Sequence, residues 1–316
     1  MKVAVCTLFE GSYGHGVVAL VNSLWARGYE GVIYIGHREV SLPNWLTNLQ
    51  IKLDSCVQRA GAGRIRIEFR TLSTDMHLAN YKPTFMRSIL LEDQEVEAIF
   101  YFDPDICVVK DWRHFVEWVS CGICLCEDVN SPLPENHPKR IGWRLYYSKY
   151  GRRLQYRTTE YYNSGYLGLV RSEILFLDAW ISTIEEMADE LGTLSVGLAT
   201  KEKYKSVGFA DCFINTDQDA MNAALESSNC KISAIGKEGM AFASGDAWMP
   251  HAIGDGKPWK RKYLRRSISG QPPRLVDKVF WNSASGPARS IPTSQIALAK
   301  LMVNIGSLIG RFYRKA

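Results

Sequence analysis

The chain predicts an α/β protein, a sheet whose faces are covered by helices. Three observations carry that expectation. Short apolar runs suited to buried strands alternate with longer stretches of helical length. The 316 residues are 46% hydrophobic, enough to bury a large core in one or two domains. No apolar run is long enough to cross a membrane, and the chain shows no internal repeat or low-complexity segment.

Residues 2–7 (KVAVCT) read as a first strand, followed by the glycine-rich turn EGSYGHG and an apolar helix, VVALVNSLWARG, ending at Gly28. GVIYIG (31–36) and IRIEF (65–69) read as further strands. Residues 82–93 (KPTFMRSILLED) predict a helix with Pro83 in its first turn, where a missing N–H costs no helical bond. GICLC (122–126), YLGLV (166–170) and KISAI (231–235) complete the strands. Two more helices are expected at 172–191 and 216–227. The stretch 129–160 is rich in Pro, Arg and Tyr without a clear period. It reads as a long loop or short helices, either a lid or binding loop or a decorative surface insertion.

The net charge of +5 conceals an asymmetry. Residues 257–316 hold thirteen Lys or Arg against one acid, Asp277, a net +12, which leaves the first 256 residues at −7. A basic tail on an acidic body is expected to face something anionic. The first residues run directly into strand-like sequence without a signal-peptide pattern, and the eight cysteines lack regular spacing, so a reducing, cytoplasmic setting is expected. Cys121, Cys124 and Cys126 (CGICLC) superficially suggest soft-metal ligands, but no Cys/His pair at zinc spacing follows them.

The chemistry begins at FYFDPDICV (100–108), where Asp103 and Asp105 flank a proline at the end of an apolar run. An unpaired charge inside a buried strand is very costly, and Pro104 removes a backbone donor. Both carboxylates are therefore expected just past the strand, where they can converge outside the sheet; the plain alternative is a strand-terminating turn. Three more stretches bear on this: YYNSGYLGLVRS (161–172), NTDQDAMNAAL (215–225) and HAIGDGKPW (251–259).

In this order the four stretches resemble glycosyltransferase family 8, retaining sugar-nucleotide transferases that include glycogenin and bacterial lipooligosaccharide galactosyltransferases. The family carries an Asp-x-Asp, an Asn-x-Gly strand, an Asp-Gln-Asp and a His-x-x-Gly-x-x-Lys-Pro-Trp. The last is matched at His251, Gly254, Lys257, Pro258 and Trp259. With the N-terminal strand and helix, the resemblance covers about four fifths of the chain. It implies a GT-A fold, a Rossmann-like, mixed and mostly parallel sheet flanked by helices. Residues 1–256 would be the transferase domain and 257–316 a basic, amphipathic C-terminal extension.

The resemblance implies a UDP-sugar donor and a Mn²⁺ or Mg²⁺ ion held by Asp103, Asp105 and His251. The residue types suit that ion: a cation on hard oxygens offsets the charge of a departing diphosphate, and an imidazole ligand favours Mn²⁺. Lys257 would pair with a phosphate as a point charge, while Gly254 and Gly256 let the backbone approach the diphosphate. Asn163, Asp217 and Gln218 would address the donor sugar. Arg87 and Thr7, with Asp103, complete the implied donor-binding set, and Lys82 rivals Arg87. The family's place for a covalent nucleophile falls on Gln218, a neutral amide and a poor nucleophile. Front-side attack through an oxocarbenium-like state follows, the diphosphate accepting the acceptor's proton. The loop TLFEGSYGHGV lacks the family's aspartate near the base, and Glu10 does not clearly replace it.

From Leu298 the apolar residues fall at 298, 301, 302, 305, 308, 309 and 312, the stripe of an amphipathic helix, with Lys300, Asn304, Ser307, Arg311 and Lys315 opposite. Downstream of KPWKRKYLRR, such a helix can lie in an anionic membrane interface or pack on its own domain. No nucleic-acid recognition motif accompanies the charge. The expectation is a metal-dependent retaining hexosyltransferase, moving galactose or glucose to a glycan or lipid-linked acceptor in cell-surface polysaccharide or lipopolysaccharide synthesis. It is expected in the cytoplasm, with peripheral association at the membrane's inner face. The alternative is a non-catalytic membrane-surface scaffold with the same fold, which would have no reason to keep Asp103, Asp105, His251 and Lys257 together.

Overall fold

A computed structural model describes residues 1–49, 65–197, 212–254 and 256–312. Among these residues the strands are β1 (Val3–Phe9), β2 (Gly31–His37), β3 (Ile65–Thr71), β4 (Ala98–Phe102), β5 (Ile123–Glu127), β6 (Tyr162–Val170) and β7 (Ile232–Ile235). The helices are α1 (Gly14–Ala26), α2 (Asn44–Thr47), α3 (Leu78–Glu92), α4 (Trp112–Val119), α5 (Pro138–Ser148), α6 (Ile174–Leu191), α7 (Thr216–Ser227), α8 (Tyr263–Ile268), α9 (Leu275–Ser283) and α10 (Thr293–Gly310). The architecture is a mixed, mostly parallel β-sheet flanked by helices, consistent with a Rossmann-like GT-A fold. Among the described residues no helix is long and apolar enough to cross a membrane.

The chain divides into two compact units. The first comprises Met1–Leu8, Leu72–Phe102 and Phe115–Lys237. Its strands run in the order β1-β4-β6-β5-β7. β1 and β4 are parallel, with Val3 opposite Ala98, and β6 lies antiparallel to both β4 and β5. Every residue of β1 and β4 is buried, which is why both read as unbroken apolar runs rather than alternating ones. Helices α3, α6 and α7 pack on one another.

Two expectations shift here. Helix α3 begins at Leu78, so Pro83 lies inside it rather than in its first turn. The start is set by His77, whose Nδ1 accepts the Ala79 N–H at 3.2 Å and whose own N–H is held by the Leu194 carbonyl. The excursion 129–160 contains one helix, α5, and packs inward. Trp143 and Tyr147 are fully buried, and the buried Arg140 guanidinium pairs with Glu226 and donates to the Leu133 and Glu160 carbonyls. A segment tied down at that many points is a built part of the unit, not a lid.

The second unit comprises Phe9–Thr71, Asp103–His114 and Glu238–Ala316. β2 and β3 pair in parallel from Gly31–Ile65 to His37–Thr71. The basic tail belongs to this unit and supplies part of its core. Tyr263, Phe280, Trp281, Ile291, Ile296 and Val303 cluster with Ala19 of α1. Asn22 anchors the same region, its side-chain amide donating to the carbonyls of Ser283 and Ala288. Helix α10 starts at Thr293, earlier than the stripe from Leu298 implies, and buries Ile296, Val303 and Gly306. Leu298, Leu301, Leu308 and Phe312 stay exposed. The helix is therefore both packed and apolar on its outer side; Lys315 lies outside the described residues.

Candidate functional site

β4 ends at Phe102, and Asp103 and Asp105, which open the second unit's segment Asp103–His114, lie in the turn that follows, as the proline predicts. An isolated antiparallel bridge between Ile106 and His251 brings the distant histidine to this turn. Cys107 donates to the Pro250 carbonyl, Val109 to that of Trp248, and Ala252 to that of Asp105. Helix α1 presses on the other side, where a Cβ on Gly16 would lie 2.1 Å from the Pro104 carbonyl oxygen, so only glycine fits.

His251 Nε2 lies 3.2 Å from Asp105 Oδ1 and 3.6 Å from Asp103 Oδ2. One ligand atom from each of Asp103, Asp105 and His251 falls within 4.8 Å of the others. Lys257 Nζ reaches Asp105 Oδ2 at 2.6 Å and the Ala252 carbonyl at 2.7 Å. Burial by itself would raise the Asp105 pKa. The charges and hydrogen bonds of His251 and Lys257 outweigh it and hold the carboxyl well below the usual range. For Lys257 burial works downward, and Asp105 more than reverses it, so the ammonium is held above its ordinary value. Gly254 and Gly256 take left-handed φ values of 76° and 82°, which lets the chain turn between His251 and Lys257.

This donor set fits a divalent cation. Two carboxylates and one imidazole nitrogen suit Mn²⁺ or Mg²⁺, and they already converge on one point. The Cys121–Cys126 run does not make such a group: Cys124 and Cys126 are buried on β5, and the seven described cysteines are free thiols.

A second polar cluster lies in the first unit, at the start of α7. Asp217 Oδ2 accepts Lys82 Nζ at 2.9 Å and Ser164 Oγ at 2.6 Å, with all three side chains buried. Burial would raise the Asp217 pKa, and Lys82 and Ser164 bring it net downward. Gln218 Oε1 accepts from Asn163 Nδ2 and from the Ser164 N–H, both at 3.2 Å. Those two donors fix the amide's orientation and leave Gln218 Nε2 as a buried donor without a partner. Asn163 Nδ2 also donates to Asp128 Oδ2 at 2.7 Å. Two residues after Asp217, Asp219 accepts Lys139 Nζ at 2.7 and 3.0 Å, Tyr161 Oη at 2.6 Å and the Asn215 N–H at 2.9 Å. Complete burial nevertheless leaves its pKa raised, to about 6.

Asp217, Gln218 and Asn163 therefore share one cluster, and Asp103, Asp105, His251 and Lys257 another. Lys82 joins the first cluster; Arg87 does not, pairing instead with Asp178 of α6. Thr7 is fully buried on β1, its hydroxyl without a partner. Glu10 pairs with Arg38. Ser164, Asp128 and Lys139 were missed in the sequence. Asp128 carried the same signal as Asp103, a carboxylate just past an apolar strand.

No protein-family model and no curated protein sequence matches the chain. Solved glycosyltransferases match its fold. The bifunctional glycosyltransferase WbbM in its apo form aligns at TM-score 0.52 and 12% identity over 95% of this chain and 52% of its own. The glycosyltransferase GlyE of Streptococcus pneumoniae TIGR4 aligns at 0.52 and 12%, over 98% of this chain and 64% of its own. The galactosyltransferase LgtC, solved with donor and acceptor sugar analogues, aligns at 0.50 and 13%, over 93% and 99%. The chain thus spans about half of WbbM and just under two thirds of GlyE. Its fold is that of GT-A glycosyltransferases, and it carries an acidic/histidine cluster able to hold a divalent cation.

Proposed function

We propose that this protein is a metal-dependent, retaining glycosyltransferase of the family 8 kind. It would transfer a hexose, galactose or glucose, from a UDP-sugar to a glycan or lipid-linked acceptor in cell-surface polysaccharide or lipopolysaccharide synthesis. The observation that carries this reading is the convergence of Asp103, Asp105 and His251, with Lys257 on the same carboxylate, within a GT-A fold. When bound, the Mn²⁺ or Mg²⁺ ion would neutralise charge on the departing diphosphate.

Lys257 supplies a second positive charge, and a phosphate entering the cluster competes with Asp105 for it. The glycine-lined turn at 254 and 256 admits the diphosphate to the backbone. Gln218 offers Nε2 to the donor sugar, where its dipole stabilises positive charge poorly but orients the ring. Asp217 and Asn163 hold that amide in place through Ser164 and through direct hydrogen bonding. Because Gln218 cannot form a stable glycosyl ester, retention proceeds by front-side attack, with the diphosphate taking the acceptor's proton. Thr7 and Arg87 belong to the implied donor-binding set by the resemblance alone. The excess positive charge of 257–316 supports a peripheral position on an anionic membrane, at its cytoplasmic face.

The test is donor hydrolysis and transfer across UDP, GDP and CMP sugars with Mn²⁺, followed by NMR of the product. An α-linked product from an α-linked UDP-hexose is expected. A β-linkage overturns the retaining reading and the role given to Gln218; no turnover with any donor leaves the scaffold reading in its place.

A further inference from the structure

The second unit contains a cavity of about 650 Å³ between the stretch after Pro258, the segment around Ile291 and the first half of α10. Its lining has two characters. Lys260, Arg261, Lys262 and Arg265 contribute four cations, and no acidic residue lines it. Leu264, Ile291, Leu298, Ala299 and Met302 form an apolar wall, with the neutral polar Ser12, His15, Ser290 and Gln295 also at the lining. That combination suits neither a free sugar nor a purely polar anion. It suits a molecule with an anionic head and a hydrocarbon body.

Two independent observations point the same way. The cavity holds polar groups with unused hydrogen-bonding capacity: Arg261 Nε, Trp259 Nε1 and His15 Nδ1 are buried without a hydrogen-bond partner. The Arg261 side chain is only 5% exposed; its Nε is ion-paired with the buried Asp277 at 3.8 Å, beyond hydrogen-bond distance, and its Nη2 donates to the Gln271 and Pro272 carbonyls at 3.4 Å. Such groups are costly to bury unless a ligand acceptor meets them. The apolar wall also continues outward. Leu298 both lines the cavity and is 57% exposed; Leu301 and Leu308 extend from it along α10 at 51% and 53% exposure, and Phe312 follows in the turn just past the helix at 88%. Spacings of three and seven residues keep the leucines on one helix face. A stripe of this kind beside a basic mouth is the surface that rests on an anionic lipid layer.

We propose that this cavity is a binding site for a single anionic phospholipid. The phosphate lies among Lys260, Lys262, Arg265 and the Arg261 guanidinium, and the start of an acyl chain lies against Leu264, Ile291 and Met302. The exposed stripe of α10 rests in the surrounding lipid. This deepens the membrane-proximal reading of the tail and rests on that part of the proposed function only. It is independent of whether the chain transfers a sugar.

The experiment uses the full chain and sedimentation with vesicles. The probes are phosphatidylglycerol mixed with phosphatidylcholine, phosphatidylcholine alone, and inorganic phosphate or UDP as soluble competitors. Three variants separate the components: Ala299→Trp fills the cavity, Lys262→Glu with Arg265→Glu reverses the mouth, and Leu301→Asp with Leu308→Asp breaks the stripe. The site predicts at least tenfold tighter binding to the anionic vesicles, a tenfold or greater loss with each of the first two variants, and little displacement by millimolar phosphate or UDP. Tryptophan fluorescence should be quenched by phosphatidylglycerol brominated in its acyl chains, and less so in Ala299→Arg, a second cavity-filling variant. If Ala299→Trp, with an unchanged melting temperature, binds anionic vesicles as well as the parent, the cavity is not a lipid site, and simple charge attraction survives. If UDP displaces the vesicles, the cavity is a nucleotide site. If an anionic glycan binds and vesicles do not, both the lipid site and the membrane reading fall.

Discussion

The two polar clusters of this protein are built on opposite electrostatic principles. Around Asp217 and Asp219, in the first unit, each buried carboxylate has a lysine and further donors from its own unit. Around Asp103 and Asp105, in the second, two carboxylates and an imidazole crowd one point, and Lys257 meets Asp105 from one side. The first arrangement satisfies both of its carboxylates and holds Gln218 and Asn163 in position, leaving Gln218 Nε2 as its one open donor among these residues. The second gathers negative charge in a form that a divalent cation relieves. The difference teaches which residues to read as scaffold and which as chemistry: partners supplied in full by the fold mark support, and converging ligands mark function.

The comparison can be broken by deleting one member of each cluster. Asp105→Ala should cut turnover by about 10³-fold or more while circular dichroism and the melting temperature stay close to the parent's. Chelation with EDTA should do the same and Mn²⁺ should reverse it. Unchanged activity in either case removes the metal from the reaction. Lys82→Ala should act on stability instead, costing about 3–5 kcal/mol in chemical denaturation because it strands a buried Asp217. If Lys82→Ala unfolds no more readily than the parent, the first cluster is not a structural scaffold. Lys257→Ala sharpens the contrast. It should weaken UDP binding by about tenfold in calorimetry, with a smaller effect on stability than Lys82→Ala.

The smallest effect concerns pH. The Asp219 carboxyl is raised to about 6, above its value in the unfolded chain. Between about pH 4 and 6 the folded state therefore keeps a proton that the unfolded state has released, so stability falls as pH rises through that window and levels off above it. Asp219→Asn should flatten the slope of melting temperature against pH over that range, whatever it does to the absolute value. A parent and variant with parallel curves would show that Lys139 and Tyr161 keep Asp219 ionised throughout.

Parts of this architecture were legible because their cause is local. A proline and two aspartates cannot continue a buried strand, so the chain had to leave the sheet after Phe102 and carry both carboxylates into a turn. Helix α7 runs from Thr216 to Ser227, as its pattern predicts. The phase of α3 was not legible. Lys82 and Arg87 are five residues apart, about 140° around a helix, so only one of them can face Asp217. Sequence offers no way to fix that phase when Pro83 draws the expected start to the wrong turn. His77, held by the distant Leu194 carbonyl, sets the start instead.

The tail shows the same division. Its charge, its aromatic residues and its helical stripe are properties of composition and period, and those the sequence determines alone. Whether the stripe packs or faces outward depends on what lies opposite. Ile296 and Val303 found Ala19, Phe280 and Trp281, while Leu298, Leu301 and Leu308 found no cover. Likewise the resemblance grouped Asp103, Asp105 and His251 as one metal site, but nothing local to any of the three dictates that they meet. Their meeting was decided by one bridge between Ile106 and His251, a contact between residues far apart in the chain. Local propensity carries no information about such a pairing, because its free energy comes from the surfaces that close around it.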